Sequence, residues 1–521
     1  MLLRNRYEEL HKQCLIIKKY NKMKTKLFTS LFLLFFLVSF AQEKSELKVL
    51  PKGEIFTSKQ SVIIDGKTIN LDAETGTIQL RDENDNPIAL AGFTHYKKTG
   101  TTENRPIVFA FNGGPLQSSF WLHIGVLGPK RVEINDPTYT KPAPYSIINN
   151  EYSILDKADL VLIDPIGTGF SKPIGDSKWE DFWGVDQDIR STGLFIEQFL
   201  AREGKFNAPK YLLGESYGTL RCAGVAKYLQ NKGIEMNGVI MIGAVLEMHN
   251  LLFGPGNDTC YLIHFPTYAA TAWYHNKVKN KGESIESFLK DVRKFTENEY
   301  ALALFKGDQL TDTEKNAVAQ KLADYSGVSK DYWMKANLRV VNSEFFQELL
   351  RDKGLTVGRL DARYTGINEN LLAQSALTDP AGDAFLSPIA TAFKNYLYND
   401  LKAGNHLTYT PMVTSPIFKW DWRHSGNVVW NAQLAISTLP DMTSAMKRNP
   451  NLKFLILNGY YDVATVFYGV EYSINHMGLD AELKKNIAMK YYEAGHMLYA
   501  HKPSIQKMKN DIGGFIEQTS K

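Results

Sequence analysis

Residues 211–231 read Tyr-Leu-Leu-Gly-Glu-Ser-Tyr-Gly-Thr-Leu-Arg-Cys-Ala-Gly-Val-Ala-Lys-Tyr-Leu-Gln-Asn. Three apolar residues, Tyr211 to Leu213, run as a buried strand would. They break at Gly214-Glu215-Ser216-Tyr217-Gly218 and resume from Thr219 with helical spacing as far as Asn231, where Gly233 follows as a stop. Strand, sharp turn and helix place one serine at the crest of a strained bend. Small residues must stand on both sides of it, because neighbouring chains pack closely there. A lone G-x-S-x-G recurs by chance; its position between a strand and a helix is what makes Ser216 a candidate nucleophile.

Working outward, continuous apolar runs recur at Ile107 to Phe111, Leu160 to Ile163, Val239 to Val245, Phe454 to Leu457 and Ile487 to Tyr492, each ending in a Gly-containing or acidic turn. Runs of this kind are buried parallel strands. Helix-period stretches such as Val185 to Leu200 lie between them, so the pattern predicts an α/β fold: a mostly parallel central sheet with helices on both faces. Ahead of it, residues 61–97 carry short alternating runs at Ser61 to Ile64 and Thr77 to Leu80. Turns are expected there at Asp65-Gly66, Glu74-Thr75-Gly76 and Asn84-Asp85-Asn86-Pro87. The acidic stretch from Asp82 to Asn86 lacks the glycine and terminal glutamate of a calcium loop and is read as a solvated hairpin turn. Between residues 247 and 426 the rhythm gives way to a segment rich in Tyr, Phe and Trp, with helical stretches near Glu283 to Glu299 and Leu386 to Leu401. Because strand-like runs resume afterwards, this is an inserted helical cap. The expected organisation is residues 1–41 as an amino-terminal preface and signal peptide, 42–246 as the first part of the core, 247–426 as the cap and 427–521 as the second part.

Composition bounds the function. Of 521 residues, 44% are apolar and 22% charged, which excludes disordered and low-complexity classes. The first 41 residues carry 8 of the 60 Lys and Arg and 2 of the 56 Asp and Glu, so the remainder has a net charge of −2 and no nucleic-acid footprint. Lys22, Lys24 and Lys26 precede an apolar run from Leu27 to Phe40, with Ser39-Phe40-Ala41 before Gln42. The run is shorter than the roughly 20 residues of a spanning helix, so it reads as a cleaved export signal starting at Met23, leaving no stable membrane anchor. The protein is then periplasmic or extracellular. Of its three cysteines, Cys222 and Cys260 allow at most one internal disulfide. Neither metal nor phosphate motifs occur, so no cofactor is expected.

A serine nucleophile needs a base and an orienting acid, here in the order Ser, Asp, His. Asp462 follows the Phe454 to Leu457 strand through Asn458-Gly459-Tyr460-Tyr461. His496 follows Ile487 to Tyr492 through Glu493-Ala494-Gly495. Loops at the carboxyl ends of parallel strands are where such sheets carry their sites. Asp480 and Glu493 are weaker rivals for the acid, and His123 is read as a packed histidine. Backbone amides at Asn112-Gly113-Gly114-Pro115, with that of Tyr217, can receive an oxyanion.

Together these residues resemble the serine carboxypeptidase family. The likeness is carried by Asn112-Gly113-Gly114-Pro115 with Ser118-Ser119, Gly128-Pro129, Pro165 with Gly167-Thr168-Gly169-Phe170-Ser171, the Gly214 to Gly218 pentapeptide, Gly459 with Asp462, and Ala494-Gly495-His496-Met497. The resemblance implies an α/β-hydrolase fold with a helical cap, cleaving single residues from peptide carboxyl termini. It makes Ser216 the nucleophile, His496 the base, Asp462 its acid, and Gly114 and Tyr217 the oxyanion hole. Asn112, Gly113 and Glu215 become ligands of the substrate's terminal carboxylate, with a protonated glutamate as donor. The sequence departs from the pattern where a second glutamate would fall at Val126 and a tryptophan at Ala110, and Leu116 and Gln117 replace a Gly and a Cys. Arg221, one turn past the nucleophile, is either a substitute carboxylate ligand or a structural ion pair. The alternatives on the same machinery are an esterase or acyltransferase, and from another class a catalytically silent peptide-binding protein.

Overall fold

The computed structural model describes residues 9–25, 50–101, 104–414, 419–425, 428–429, 432–433 and 435–521. Residues 1–50 and 51–521 are separate units. In the first, residues 9–25 are a helix with exposed side chains. The apolar run from Leu27 to Phe40 and the expected cut before Gln42 lie outside the described residues. Among those described, no helix is long and apolar enough to cross a membrane.

The second unit is built on one sheet. Its main strands are β1 (Ile55–Ile64), β2 (Lys67–Arg81), β3 (Pro87–Lys98), β4 (Ile107–Phe111), β5 (Asp159–Asp164), β6 (Lys210–Glu215), β7 (Gly238–Ile242), β8 (Lys453–Gly459) and β9 (Ile487–Tyr492). They lie in the order β1-β2-β3-β5-β4-β6-β7-β8-β9. The first three are antiparallel and β5 through β9 run parallel, as the continuous apolar runs predict. Two details differ from the sequence reading. Glu74-Thr75-Gly76 is not a turn: it runs inside β2, with Glu74 opposite His95 and Gly76 opposite both Phe93 and Ile55. Pairing on both sides, with Thr75 Oγ1 and Thr94 Oγ1 2.8 Å apart in the interior, overrides the local turn preference. The run from Val239 ends at Ile242 rather than Val245, because Gly243 takes a positive φ of 54° and turns the chain out of the sheet.

Side-chain alternation sorts the parallel strands onto two cores. Val108, Ala110, Leu213, Ile240, Ile242 and Leu457 face the helices α4 (Pro380–Asn399) and α6 (Lys502–Thr519), meeting Phe393, Tyr396, Met508 and Ile512. Ile107, Phe109, Leu212, Val239, Met241 and Ile456 face α1 (Val185–Glu203), α2 (Tyr217–Asn231) and α5 (Leu439–Arg448). A third core lies in the helical segment between β7 and β8, where α3 (Asp258–Tyr274) gives Phe265 and Tyr268 to a cluster with Trp333 and Phe345; Tyr460, Tyr461 and Phe467, which follow β8, join it. Cys222 and Cys260 are both buried and free, so packing rather than a disulfide holds this unit.

Register brings the carboxyl ends of the strands to one edge. Phe111 pairs with Gly214, Glu215 with Ile242, Ile242 with Leu457, and Gly459 with Tyr492. The loops that follow β4, β6, β8 and β9 therefore open side by side.

Candidate active site

Ser216 is the first residue after β6 and stands at φ 60°, ψ −130°, a strained conformation for a residue with a side chain. Its N–H donates to Ile242 O at 3.0 Å, which pins the bend to β7. A Cβ on Gly214 would stand 2.3 Å from Gly218 O, so the flanking glycine is a steric necessity. Beneath the bend Arg221, 1% exposed, donates through Nε to Asp188 at 2.7 Å and through an Nη to Asn112 O at 2.6 Å. Arg221 is thus a structural tie between α1, α2 and the Asn112 loop, and of the two roles expected for it the ion pair is the one seen. Trp420 and Trp422 stand edge-on to the Tyr217 ring, at 5.8 and 6.2 Å.

Asp462 and His496 meet from the loops after β8 and β9, with Nδ1 and Oδ2 2.8 Å apart. Asp462 is fully buried and its other oxygen accepts the amides of Ala464 and Thr465, both at 2.9 Å. The Thr465 hydroxyl donates to Oδ2 at 2.7 Å. Every oxygen of this carboxylate is occupied, which fixes the imidazole's orientation. Burial depresses the His496 pKa, but the Asp462 charge and hydrogen bond outweigh it and leave the ring above its ordinary value. The rivals are elsewhere: Glu493 is exposed, and Asp480 caps a short helix by accepting from Leu483 N. His123 is buried, 2.6 Å from the Tyr96 hydroxyl, with its pKa lowered to about 3 by burial.

Asn112, Gly113, Gly114, Glu215, Ser216 and His496 line one cavity of about 130 Å³. Gly113 packs so closely on the elbow that a Cβ would lie 2.5 Å from Tyr217 N. Tyr217 opens α2, where an amide has no intrahelical acceptor and is available to a ligand. Asn112 accepts Leu122 N through Oδ1 at 3.1 Å and donates from Nδ2 to Glu215 Oε2. The Tyr499 hydroxyl donates to the same carboxyl, 3.1 and 3.3 Å from its two oxygens. Burial pushes Glu215 up to about 7, against the opposing effects of His496 and of the hydrogen bonds from Tyr499 and Asn112. Val126, where a second glutamate would fall, is buried in the core beside Leu122 and Leu127, and Ala110 lies within β4.

Four residues of this arrangement escape sequence reading. Thr465 bonds Asp462, Tyr499 bonds Glu215, and Arg359 and Asp361 come from a loop between two short strands, Leu355–Val357 and Thr365–Ile367. Asp361 Oδ2 accepts Gly495 N at 3.0 Å while pairing with Arg363, and so braces the loop that carries His496. Only the pattern Asp361-Ala362-Arg363 hints at a pair, and it says nothing of Gly495. Away from the site, Glu74, His95 and Glu203 form a His–carboxylate group on the antiparallel strands and α1. There Arg202 pairs with both carboxylates and supplies their counter-charge.

No curated protein matches the chain in sequence. Among solved structures, the prohormone-processing carboxypeptidase Kex1(Δ)p from Saccharomyces cerevisiae superposes with a TM-score of 0.54 at 14% identity, over 86% of this chain and 91% of that one. A thermostable carboxyl esterase from Bacillus coagulans gives 0.36 at 12% identity over 86% and 99%, and a proline iminopeptidase from Mycobacterium smegmatis 0.35 at 11% over 89% and 99%. The family model described as serine carboxypeptidase matches residues 67–520, a span that takes in the elbow, Asp462 and His496. The chain belongs to the serine carboxypeptidase family and is a serine-type carboxypeptidase of α/β-hydrolase fold.

Proposed function

We propose that Ser216, His496 and Asp462 carry out the hydrolysis through an acyl-enzyme, releasing one residue at a time from a peptide's free carboxyl end. The observation that carries this reading is the fully buried Asp462 holding His496 at 2.8 Å, in the cavity that Ser216 also lines. His496 Nε2, on the far side of the ring from Asp462, accepts the Ser216 hydroxyl proton as Oγ adds to the scissile carbonyl. The amides of Gly114 and Tyr217 receive the negative charge that develops on the carbonyl oxygen, without reorganisation at the moment of reaction. The imidazolium is stabilised by Asp462 and returns its proton to the leaving amine. Water then enters by the same route and frees Ser216.

Asn112, Gly113 and Glu215 form the remaining carboxylate-binding wall. A glutamate with a pKa near 7 is protonated in mildly acidic solution and can donate to a substrate carboxylate instead of repelling it. The basic residues Lys22, Lys24 and Lys26 ahead of Leu27 to Phe40 support export to the periplasm or the exterior. A blocked dipeptide and its carboxyl-terminal amide, incubated across roughly pH 4 to 8 with product release followed by mass spectrometry, test the reading. Cleavage of the free acid alone, best on the acidic side, is the expected result. Equal cleavage of both would place the enzyme with acyl hydrolases indifferent to the terminal carboxylate. Cleavage of neither, with ester substrates turned over, would make it an esterase or acyltransferase.

A further inference from the structure

Arg359, an exposed residue, lines the same cavity as Ser216 and His496, and among the described residues its guanidinium has no hydrogen bond and no ion pair within the protein. Its backbone is held tightly. Its N–H donates to Asp379 Oδ1 at 2.8 Å and its carbonyl accepts Val463 N at 3.1 Å, next to the acid of the triad. The following carbonyl, of Leu360, accepts His496 N at 2.6 Å, and Ala362 N donates to Tyr461 O at 3.0 Å. The loop is therefore stitched to both catalytic loops, and only the side chain is left without a partner. The same cavity is lined by Trp121, 7% exposed, whose buried indole N–H finds no acceptor. Asn112 and Glu215 already bond each other, Leu122 N and the Tyr499 hydroxyl, so a cation here adds to the Glu215 proton rather than replacing it. What the wall has in surplus is donors, one of them a permanent cation shaped to take two carboxylate oxygens at once.

Building on the proposed acyl-transfer site, we propose that Arg359 is a specificity-determining ligand for a carboxylate of the substrate. That carboxylate is either the free carboxyl terminus or an acidic side chain beside the scissile bond. Its position on a loop braced against His496 and Asp462 holds the charge at a set place relative to the reacting carbonyl, so the cation acts on binding rather than on the chemical step. Arg359 thus supplies, from the segment between β7 and β8, the charge complement that Val126 does not offer.

The test uses the whole protein and four blocked dipeptides, ending in Ala or Glu, each as free acid and as carboxamide. In Arg359→Gln, the ratio of affinities for carboxylate-bearing over carboxylate-free dipeptides, read as KM where a peptide is cleaved and as a competitive inhibition constant where it is not, should fall about 10- to 100-fold, the size of a charged hydrogen-bond pair. Arg359→Lys keeps the charge without the fork and should recover part of the ratio. A loss that follows the free terminus identifies the terminal carboxylate, and a loss that follows Glu over Ala identifies an acidic side chain. A ratio equal to that of the unaltered enzyme overturns the inference. Labelling by a serine-directed phosphonate reports that each variant is folded, and a Ser216→Ala control separates the two failures. Turnover that survives Ser216→Ala removes the site and this inference with it; turnover abolished by Ser216→Ala, with an unchanged Arg359→Gln ratio, removes this inference alone.

Discussion

Glu215 offers the sharpest quantitative test, because its burial can be read through both stability and binding. Its carboxyl is pushed to about 7, against an ordinary 4.5, mainly by burial. Between those two values the folded protein binds a proton that the unfolded chain has released, so the group's contribution to stability is fully present below pH ~4.5 and is lost as pH rises through ~7. Integrated over that window the loss is about 3 kcal/mol. Glu215→Gln keeps the shape and cannot titrate. Whatever constant offset the amide introduces at Asn112 and Tyr499, the stability of the variant relative to the parent should climb by about 3 kcal/mol from pH ~4 to ~8, measured by denaturant unfolding at closely spaced pH values. In the parent, KM for a free-acid dipeptide should rise over the same interval as the donor proton is lost; in the variant it should not follow that rise. A stability difference that stays flat across the window would refute the reasoning, since it would mean that the buried carboxyl ionises where an exposed one does.

Other perturbations act on separate parts of the site. Ser216→Ala and His496→Ala should each lower kcat by several orders of magnitude and Asp462→Asn nearly as far, in steady-state assays on a cleaved dipeptide. Gly113→Ala places a methyl 2.5 Å from Tyr217 N; it should reduce kcat about 100-fold or more by displacing an oxyanion donor, with far-UV circular dichroism unchanged. Asp361→Ala removes a carboxylate that is 0% exposed and leaves Arg363 with Asp136 alone, while freeing Gly495 N. A loss of about 3 kcal/mol in unfolding free energy, together with lower kcat, is expected.

Tyr211 to Asn231 held one strand-bend-helix unit of the fold in a single stretch, and the reason is local. An apolar run, a glycine-flanked bend and a helical period are each set by neighbours in sequence, so strand β6, the elbow and helix α2 fall close to where their residues place them. The same holds for Asp462 and His496, marked by their positions just beyond strand ends. Where the reading missed, distant pairing had outvoted local preference. Glu74-Thr75-Gly76 looks like a turn until β1 and β3 flank it on both sides. Arg221, one turn past Ser216, left two roles open in the sequence, and its ion pair with Asp188, across two helices, decides for the structural one.

The amino-acid sequence by itself determined the alternation of buried strands and helices, the bend at Ser216 and the chain order of Ser216, Asp462 and His496, because periodicity, glycine stereochemistry and strand ends are properties of contiguous residues. Tertiary structure alone decided what surrounds those three residues. Thr465 on the acid, Tyr499 on Glu215, Asp361 on Gly495 and the unpaired Arg359 at the cavity come from segments whose own sequences show no periodic or steric signal. Their roles follow from a register that aligns β4, β6, β7, β8 and β9 at one edge, and from a loop folded across it.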